Sequence, residues 1–153
     1  EQLAEIAISA ARVVRLFGFD PKVAFVSHST FGQPVTNRTK HIKDAVEILK
    51  NKNVNFEFDG DMQPDVALNE EYKSLYPFSK IVGNANILIM PGQHSAAISY
   101  KMMKTLGDTK VIGPLLIGLG LPIEIAPLRS STSEILNLAS IAAYSADVID
   151  YTK

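Results

Sequence analysis

Apolar residues along the chain alternate between helical spacing and short continuous runs. Helical spacing predicts helices at residues 3–17, 42–49, 66–75, 98–106 and 135–149. Continuous or alternating apolar runs predict strands at residues 22–26, 54–58, 85–90, 111–117 and 123–125. Because strands and helices alternate throughout, the sequence predicts an α/β domain with a mostly parallel sheet.

Residues 84–118 contain the clearest single unit of this pattern. The apolar run 85–90 stops at Pro91 and Gly92, a helix follows from Gln93, and a second apolar run covers 111–117. A strand, a crossover helix and another strand at this spacing form a βαβ unit. Ligands bind beyond the carboxyl ends of the strands in such sheets, so residues 91–95 are the first candidate for a site.

Several residues mark predicted helix boundaries. Gly18 and Gly107 stand where a helix-ending glycine belongs, and Pro64 suits the first turn of a helix. Ser131 and Glu134 have the spacing of a capping box, which predicts the start of the last helix.

Composition and charge exclude several classes of function. The chain has 153 residues, of which 46% are hydrophobic and 20% charged, and its formal net charge is -1. A net charge this close to zero gives no excess of positive charge that would attract nucleic acid or an anionic membrane surface. The chain contains no cysteine, which excludes disulfides, thiolate metal sites and a cysteine nucleophile. No apolar run approaches the roughly 18 residues of a membrane span, and residues 1–5 are acidic rather than the basic head of a signal peptide. We therefore expect a cytoplasmic protein with no nucleic-acid or membrane partner.

Small polar residues follow the predicted strands at 22–26 and 85–90. Ser29, Thr30 and the amides near Gly32 suit a phosphate, although an ordinary turn explains them equally well. His94 and Ser95 begin a predicted helix, where they would hold an anion or, for Ser95, cap the helix.

Other polar residues give weaker signals. Asp59 and Asp61 have the spacing of a metal pair, but two acids alone do not make a metal site, and solvated loop acids are the simpler interpretation. A hydrolase triad lacks its Gly-x-Ser-x-Gly elbow. Gly118 and Gly120 lack the third glycine and the following helix of a dinucleotide fingerprint.

Several ordered blocks resemble the phosphate acetyl/butyryl-transferase family over essentially the whole chain. These blocks are residues 23–32, 59–68 and 112–119. Two further blocks, residues 90–99 and 125–139, are similar to one branch, the C-terminal phosphotransacetylase-like domain of bacterial hybrid NADP-dependent malic enzymes. The resemblance implies a three-layer αβα, isocitrate/isopropylmalate dehydrogenase-like fold.

The resemblance also implies a ligand and a set of site residues. Members that are active enzymes move acetyl between CoA and phosphate without a metal. The family has a Ser-Arg-Gly run followed by an acid before the last helix, and the matching region here is 127–131, with Arg129 displaced by one position and Glu134 near the place of the acid. The resemblance therefore implies Arg129 as the catalytic candidate, and Ser29, Thr30, Gly32, His94, Ser95 and Ser131 as contacts for phosphate or CoA.

The family further implies that this chain is a partial module. Residues 1–121 correspond to the second lobe, and residues 122–153 to the closing strand and helix of the first lobe. No cofactor is implied within this chain, whereas NADP and a divalent metal would belong to upstream malic enzyme domains. The family is dimeric, which implies a homodimer or a higher homo-oligomer.

Three functions remain open from the sequence. The first is a regulatory module that binds acetyl-CoA or a related acyl-CoA as an effector of a malic enzyme. The second is an active phosphate acyltransferase that uses Arg129. The third is a dimerisation scaffold that binds no ligand.

Overall fold

A computed structural model of the chain describes residues 1–34, 36–108 and 110–148, and of Arg38 only the backbone. The chain divides into two compact units, Glu1–Ser99 and Tyr100–Lys153. The domain boundary expected between residues 121 and 122 stays a prediction. Ile149, a predicted position on the last helical face, lies outside the described residues.

The first unit is built on a parallel sheet. Its elements are α1 (Gln2–Leu16), β1 (Lys22–Val26), α2 (Asn37–Asn51), β2 (Glu57–Met62), α3 (Pro64–Leu68), α4 (Glu70–Lys73), β3 (Ile87–Ile89) and the start of α5 (Gln93–Leu106). β1 lies in the middle and pairs in parallel with both neighbours, in the order β2-β1-β3. The predicted α/β class with a parallel sheet is confirmed.

Both faces of the sheet are buried, which gives the first unit its three layers. Val23 and Phe25 of β1 face a core that is completed by the small residues of α1 and by Ile42, Ala45 and Leu49 of α2. Ala24 and Val26 point the other way, into a second core that includes residues of α3. Alternate residues of a strand point to opposite faces, so β1 needs apolar residues at nearly every position.

β2 begins later than the sequence predicts and extends through residues that the sequence assigned to a loop. Its pairing with β1 shifts between Phe25, opposite Gly60, and Val26, opposite Met62, so Asp61 is the extra residue of a β-bulge. Gly60 has φ +154, and a Cβ there would lie 2.7 Å from the Cβ and carbonyl oxygen of Phe25. Only glycine allows this close approach of the two strands.

The outer edge of β2 is covered by the segment that follows α4. Glu57 Oε2 accepts a hydrogen bond from the Val82 amide at 2.8 Å. Asp59 Oδ2 accepts one from the Lys80 amide, also at 2.8 Å. Carboxylates of the strand therefore satisfy backbone amides of the neighbouring segment.

Most predicted helix boundaries are close to those in the structure. Gly18 follows α1 with φ +82, and Pro64 occupies the first turn of α3. The single helix predicted from Pro64 onward is divided, because the Asn69 side chain accepts a hydrogen bond from Glu71 N at 2.9 Å and caps α4. No helix in the described part of the chain combines the length and apolar character needed to cross a bilayer.

The second unit contains the end of α5 and α6 (Thr132–Val148). The strands predicted at 111–117 and 123–125 are wrong, since residues 110–117 and 122–127, all described, have no regular secondary structure. Gly113 has φ +126, and Pro114 supplies no amide hydrogen, which interrupts any ladder in the first run. Most apolar side chains of the two runs are exposed, among them Ile112, Leu116 and Ile117 of the first run and Ile123 and Ile125 of the second.

Candidate functional site

The loops after β1 and β2 meet at the carboxyl end of the sheet. Ser29 Oγ donates a short hydrogen bond to Asp61 Oδ2, and both side chains are fully buried. The bulge in β2 explains the contact, because Asp61 is released from the ladder and its side chain turns toward the β1 loop. Phe31 N also donates to the Asp61 carbonyl oxygen, at 2.6 Å. A buried polar connection thus fixes the two loops to each other.

One oxygen of this buried carboxylate has no partner. Asp61 Oδ1 is buried and receives no hydrogen bond from any described residue. A buried polar atom without a partner costs free energy, and such atoms are rare in folded proteins. Oδ1 is therefore an acceptor available to a donor group from outside the first unit.

The β1 loop is a tight turn. Thr30 N donates to Gln33 O at 3.2 Å and Gln33 N donates to Thr30 O at 3.0 Å. Gly32 lies inside this turn with φ +83, a conformation that suits glycine. Two contacts join the turn to Gln63: its amide donates to Thr30 Oγ1 at 3.2 Å, and its side chain donates to His28 O at 2.7 Å.

The structure thus brings Ser29, Thr30 and Gly32 together in one loop. The Ser29 and Thr30 hydroxyls have partners within the chain, Asp61 and Gln63. Their contact with phosphate or CoA stays a prediction. Gln63 is a site residue that the sequence analysis did not single out. The sequence interpretation of Asp59 and Asp61 as solvated loop acids is wrong, because both are buried.

His94 and Ser95 follow β3, which ends at the same edge of the sheet as β1. His94 is exposed in the first turn of α5. Ser95 does not cap the helix, because α5 begins at Gln93 and the Ser95 hydroxyl donates to Gly92 O at 2.8 Å. Both residues stay candidates for ligand contact.

Arg129 and Ser131 belong to the second unit. Arg129 is exposed in the turn before α6. Ser131 forms the predicted capping box: its amide and hydroxyl donate to Glu134 Oε2 at 2.8 and 3.0 Å, and its Oγ accepts from Glu134 N at 3.3 Å. The capping prediction is confirmed, whereas roles in catalysis and ligand binding stay predictions.

Glu134 also pairs with Lys104 of α5, whose Nζ lies 2.5 Å from Glu134 Oε1. The hydrogen bond from Lys104, followed by those from the Ser131 amide and hydroxyl, lowers the pKa of Glu134 to about 2. The same pair raises the pKa of Lys104 above its ordinary value. Glu134 is therefore a carboxylate, and an acceptor only, at neutral pH.

Comparisons with known proteins point to one family. The sequence profile described as phosphate acetyl/butaryl transferase matches residues 1–143. An NADP-dependent malic enzyme of Rhizobium meliloti (strain 1021) is 47% identical over 146 residues, which are 95% of this chain and 19% of that protein. A phosphate acetyltransferase of Bacillus subtilis (strain 168) is 35% identical over 144 residues, which are 94% of this chain and 45% of that protein.

A solved structure agrees with these matches. The crystal structure of a phosphotransacetylase from Streptococcus pyogenes has a TM-score of 0.88 and 36% identity, and it covers 95% of this chain and 44% of that one. The chain thus spans less than half of that structure, and about a fifth of the malic enzyme. The likeness confirms the predicted phosphotransacetylase-like fold as a partial module.

Proposed function

Because the chain belongs to the phosphate acetyl/butaryl transferase family, we propose that it is the phosphotransacetylase-like part of an NADP-dependent malic enzyme and binds acetyl-CoA as an effector. The observation that carries the proposal is the difference in identity, 47% to a malic enzyme against 35% to a phosphate acetyltransferase over nearly the same residues. Related acyl-CoA molecules fall within the same proposal.

The oxidation of malate to pyruvate would be the work of other domains. The chain matches only 19% of the malic enzyme, and the NADP and divalent metal of that reaction would be bound by domains upstream of residue 1. The chain itself needs no cofactor in this proposal. We further propose a cytoplasmic location. We also propose that the chain has no nucleic-acid or membrane partner, which the net charge of -1 supports.

We propose that residues 1–121 are the second lobe of the module, and that residues 122–153 complete a first lobe. Supporting this, α6 buries only Leu138 among its described residues. Ile135 is half exposed, Leu136 is 64% exposed, and Leu128 is fully exposed. Burying apolar surface of this extent against more protein would lower the free energy of the folded chain. The rest of the first lobe, and a second copy in a homodimer or higher oligomer, would supply that protein.

The phosphate and CoA contacts would come from the loops at the carboxyl end of the sheet. Ser29, Thr30 and Gly32 shape the β1 loop, while His94 and Ser95 begin α5. Arg129 and Ser131 of the second unit stay proposed contacts, and Arg129 is an exposed residue whose guanidinium suits phosphate oxygens. Ser131 would contribute mainly by holding the start of α6.

A second candidate is an active phosphate acyltransferase. The match of 35% identity to a phosphate acetyltransferase along 94% of this chain favours it. In this reading Arg129 would stabilise the charge that develops during transfer of an acyl group between CoA and phosphate, and the reaction would proceed by positioning the two substrates.

Two assays on the natural full-length polypeptide decide between these functions. The first measures malate oxidation with and without acetyl-CoA, and the second measures acetyl-phosphate formation from acetyl-CoA and phosphate. The regulatory proposal expects the first rate to change and the second to be absent. Acetyl transfer at an enzymatic rate would establish the acyltransferase instead. Failure of acetyl-CoA to bind the folded protein would support the scaffold.

A further inference from the structure

A cavity of about 300 Å³ opens in the first unit between α2 and the segment that covers the edge of β2. Its walls carry three kinds of group: the lysines Lys43, Lys50 and Lys80, the aromatic rings of Phe31 and Phe78, and the acids of β2. Small-molecule sites typically have volumes from about 300 Å³ upward. The cavity is therefore large enough for part of a metabolite, and its lining is chemically varied.

The lysines make one side of the cavity cationic. Lys43 and Lys50 stand seven residues apart on α2, which places both on one face of the helix. Glu47 pairs with Lys50. Neither Lys43 nor Lys80 has an ion-pair partner among residues 1–34, 36–108 and 110–148. Two ammonium groups are thus available for an anion such as a phosphate.

The aromatic rings form an apolar wall. Phe31 packs edge-to-face on Phe78 with ring centroids 4.8 Å apart, and Tyr76 supports both rings. Phe31 holds this position with φ +49, which is rare for a bulky residue. Phe78 remains 64% exposed, so much of its surface is available to another ring.

The acidic side of the cavity contains a hydrogen-bond acceptor that a ligand could use. Asp59 accepts the amides of Gly60 and Lys80, one on each oxygen. Asp61 has one oxygen occupied by Ser29, while buried Oδ1 has no partner among the described residues. A free carboxylate oxygen accepts up to two donors, and a small side-chain movement of the kind common on binding would bring a ligand to it.

We infer that this cavity binds an adenosine phosphate. The phosphates would lie against Lys43 and Lys80, the adenine ring against Phe78, and the adenine amino group would donate to Asp61 Oδ1. No single feature selects this ligand, but a molecule with anionic, aromatic and amino groups satisfies all three walls. A lone anion would leave the aromatic wall and the free carboxylate oxygen unused. In the same pose guanine would present its C6 carbonyl oxygen, an acceptor, to Asp61 Oδ1 where adenine presents an amino donor.

Two sources supply this chemistry, a free adenine nucleotide and the adenosine end of CoA. The second source rests on the proposed function, whereas the first does not. Hydrogen–deuterium exchange of the full-length polypeptide distinguishes them, because peptides covering residues 57–62 and 76–82 belong to the walls of this cavity and not to other domains that bind nucleotides. Exchange is followed as ADP, GDP, adenosine, pyrophosphate, CoA and 4′-phosphopantetheine are titrated.

ADP is expected to protect these peptides at lower concentration than adenosine, pyrophosphate or GDP. Replacing both Lys43 and Lys80 by Ala should raise the ADP concentration for half-protection by about tenfold or more. Phe78→Ala should raise it by about fivefold or more. Lys40→Ala removes an exposed lysine of α2 that does not line the cavity, and it should leave the titration unchanged.

Protection by CoA but not by 4′-phosphopantetheine would identify the adenosine end of CoA as the ligand, and protection by ADP without CoA would identify a free nucleotide. Equal protection by pyrophosphate or GDP, or an unchanged titration in the double lysine variant, would overturn the inference. If acetyl-CoA alters malate oxidation while the cavity peptides stay unprotected by every probe, the proposed function stands and only the cavity inference fails.

Discussion

Ser29 donates its hydroxyl hydrogen to Asp61 across the two loops at the carboxyl end of the sheet, and neither side chain is exposed to solvent. This contact joins residues 32 positions apart in the sequence. It determines how the β1 loop is held, and with it the position of Thr30 and Gly32.

Removing the hydroxyl should destabilise the first unit. Ser29→Ala leaves the buried Asp61 carboxylate without its side-chain donor, which costs about 1–3 kcal/mol. The loss is measured as a lower melting temperature and faster hydrogen exchange in residues 57–62. Ser133→Ala, at an exposed serine of α6, is the control. Equal stability of the two variants would show that this bond contributes little.

Gly60 should tolerate no larger residue. In Gly60→Ala the new Cβ meets backbone and side-chain atoms of Phe25 at 2.7 Å and adopts φ +154, so we expect a loss of about 2–4 kcal/mol. Gly120→Ala is a matched control, because its Cβ has open space within 4 Å and its φ lies outside the glycine region. Chemical denaturation of both variants compares the two effects, and a Gly60→Ala protein as stable as the control would contradict the close approach of β1 and β2.

The start of α6 should be sensitive to acid. The pKa of Glu134 is lowered to about 2 in the folded chain, below the value of about 4.3 typical of an unfolded chain. Its stabilising effect is therefore complete above about pH 4.3 and is lost as the pH falls toward about 2. Lys104, whose pKa is raised, keeps the pair intact below its unfolded pKa of about 10.4 and loses its contribution at higher pH.

The acid effect is measured by hydrogen exchange in residues 131–138. Between about pH 5 and 3, wild-type protection should fall more than that of Glu134→Gln, which has no carboxylate to titrate at this position. Parallel curves for the two proteins would assign the acid sensitivity to other groups.

Arg129→Ala should weaken the response to acetyl-CoA. Loss of one guanidinium–phosphate contact is expected to raise the acetyl-CoA concentration for half-maximal effect on malate oxidation by about tenfold. If the chain is instead part of an active acyltransferase, the same variant should abolish acetyl transfer. Arg12→Ala, an exposed arginine of α1, is the control, and an Arg129→Ala protein that behaves like it would remove Arg129 from the site.

The spacing of apolar residues predicted those helices and strands whose buried face can be identified from neighbouring residues in the sequence. The bounds of β1 and the apolar faces of α1 and α2 agree with the structure, because these elements place one residue type on one face at regular spacing. The end of β2 was missed because Asp59, Gly60 and Asp61 disfavour a strand when considered alone. The partners that compensate, Lys80 N and Ser29 Oγ, are distant in the sequence.

The same reason limited the prediction of the site. The loops after β1 and β3 were found from topology, because parallel strands end at one edge of the sheet. The contacts of Ser29 with Asp61 and of Thr30 with Gln63 depend on the β-bulge in β2, which the apolar pattern of neighbouring residues does not predict. The apolar run at 111–117 predicted a strand that requires a neighbouring strand for its hydrogen bonds, and Gly113 and Pro114 disfavour that pairing.

The carboxylates on the outer side of β2 have a consequence for the behaviour of the protein in a crowded solution. An uncovered edge strand can pair with the edge of another molecule and begin aggregation. Glu57 and Asp59 instead hold the amides of Val82 and Lys80 along this edge, with two negative charges at the strand itself. A second chain would have to displace this segment and face both charges, so the edge is protected against fibril growth.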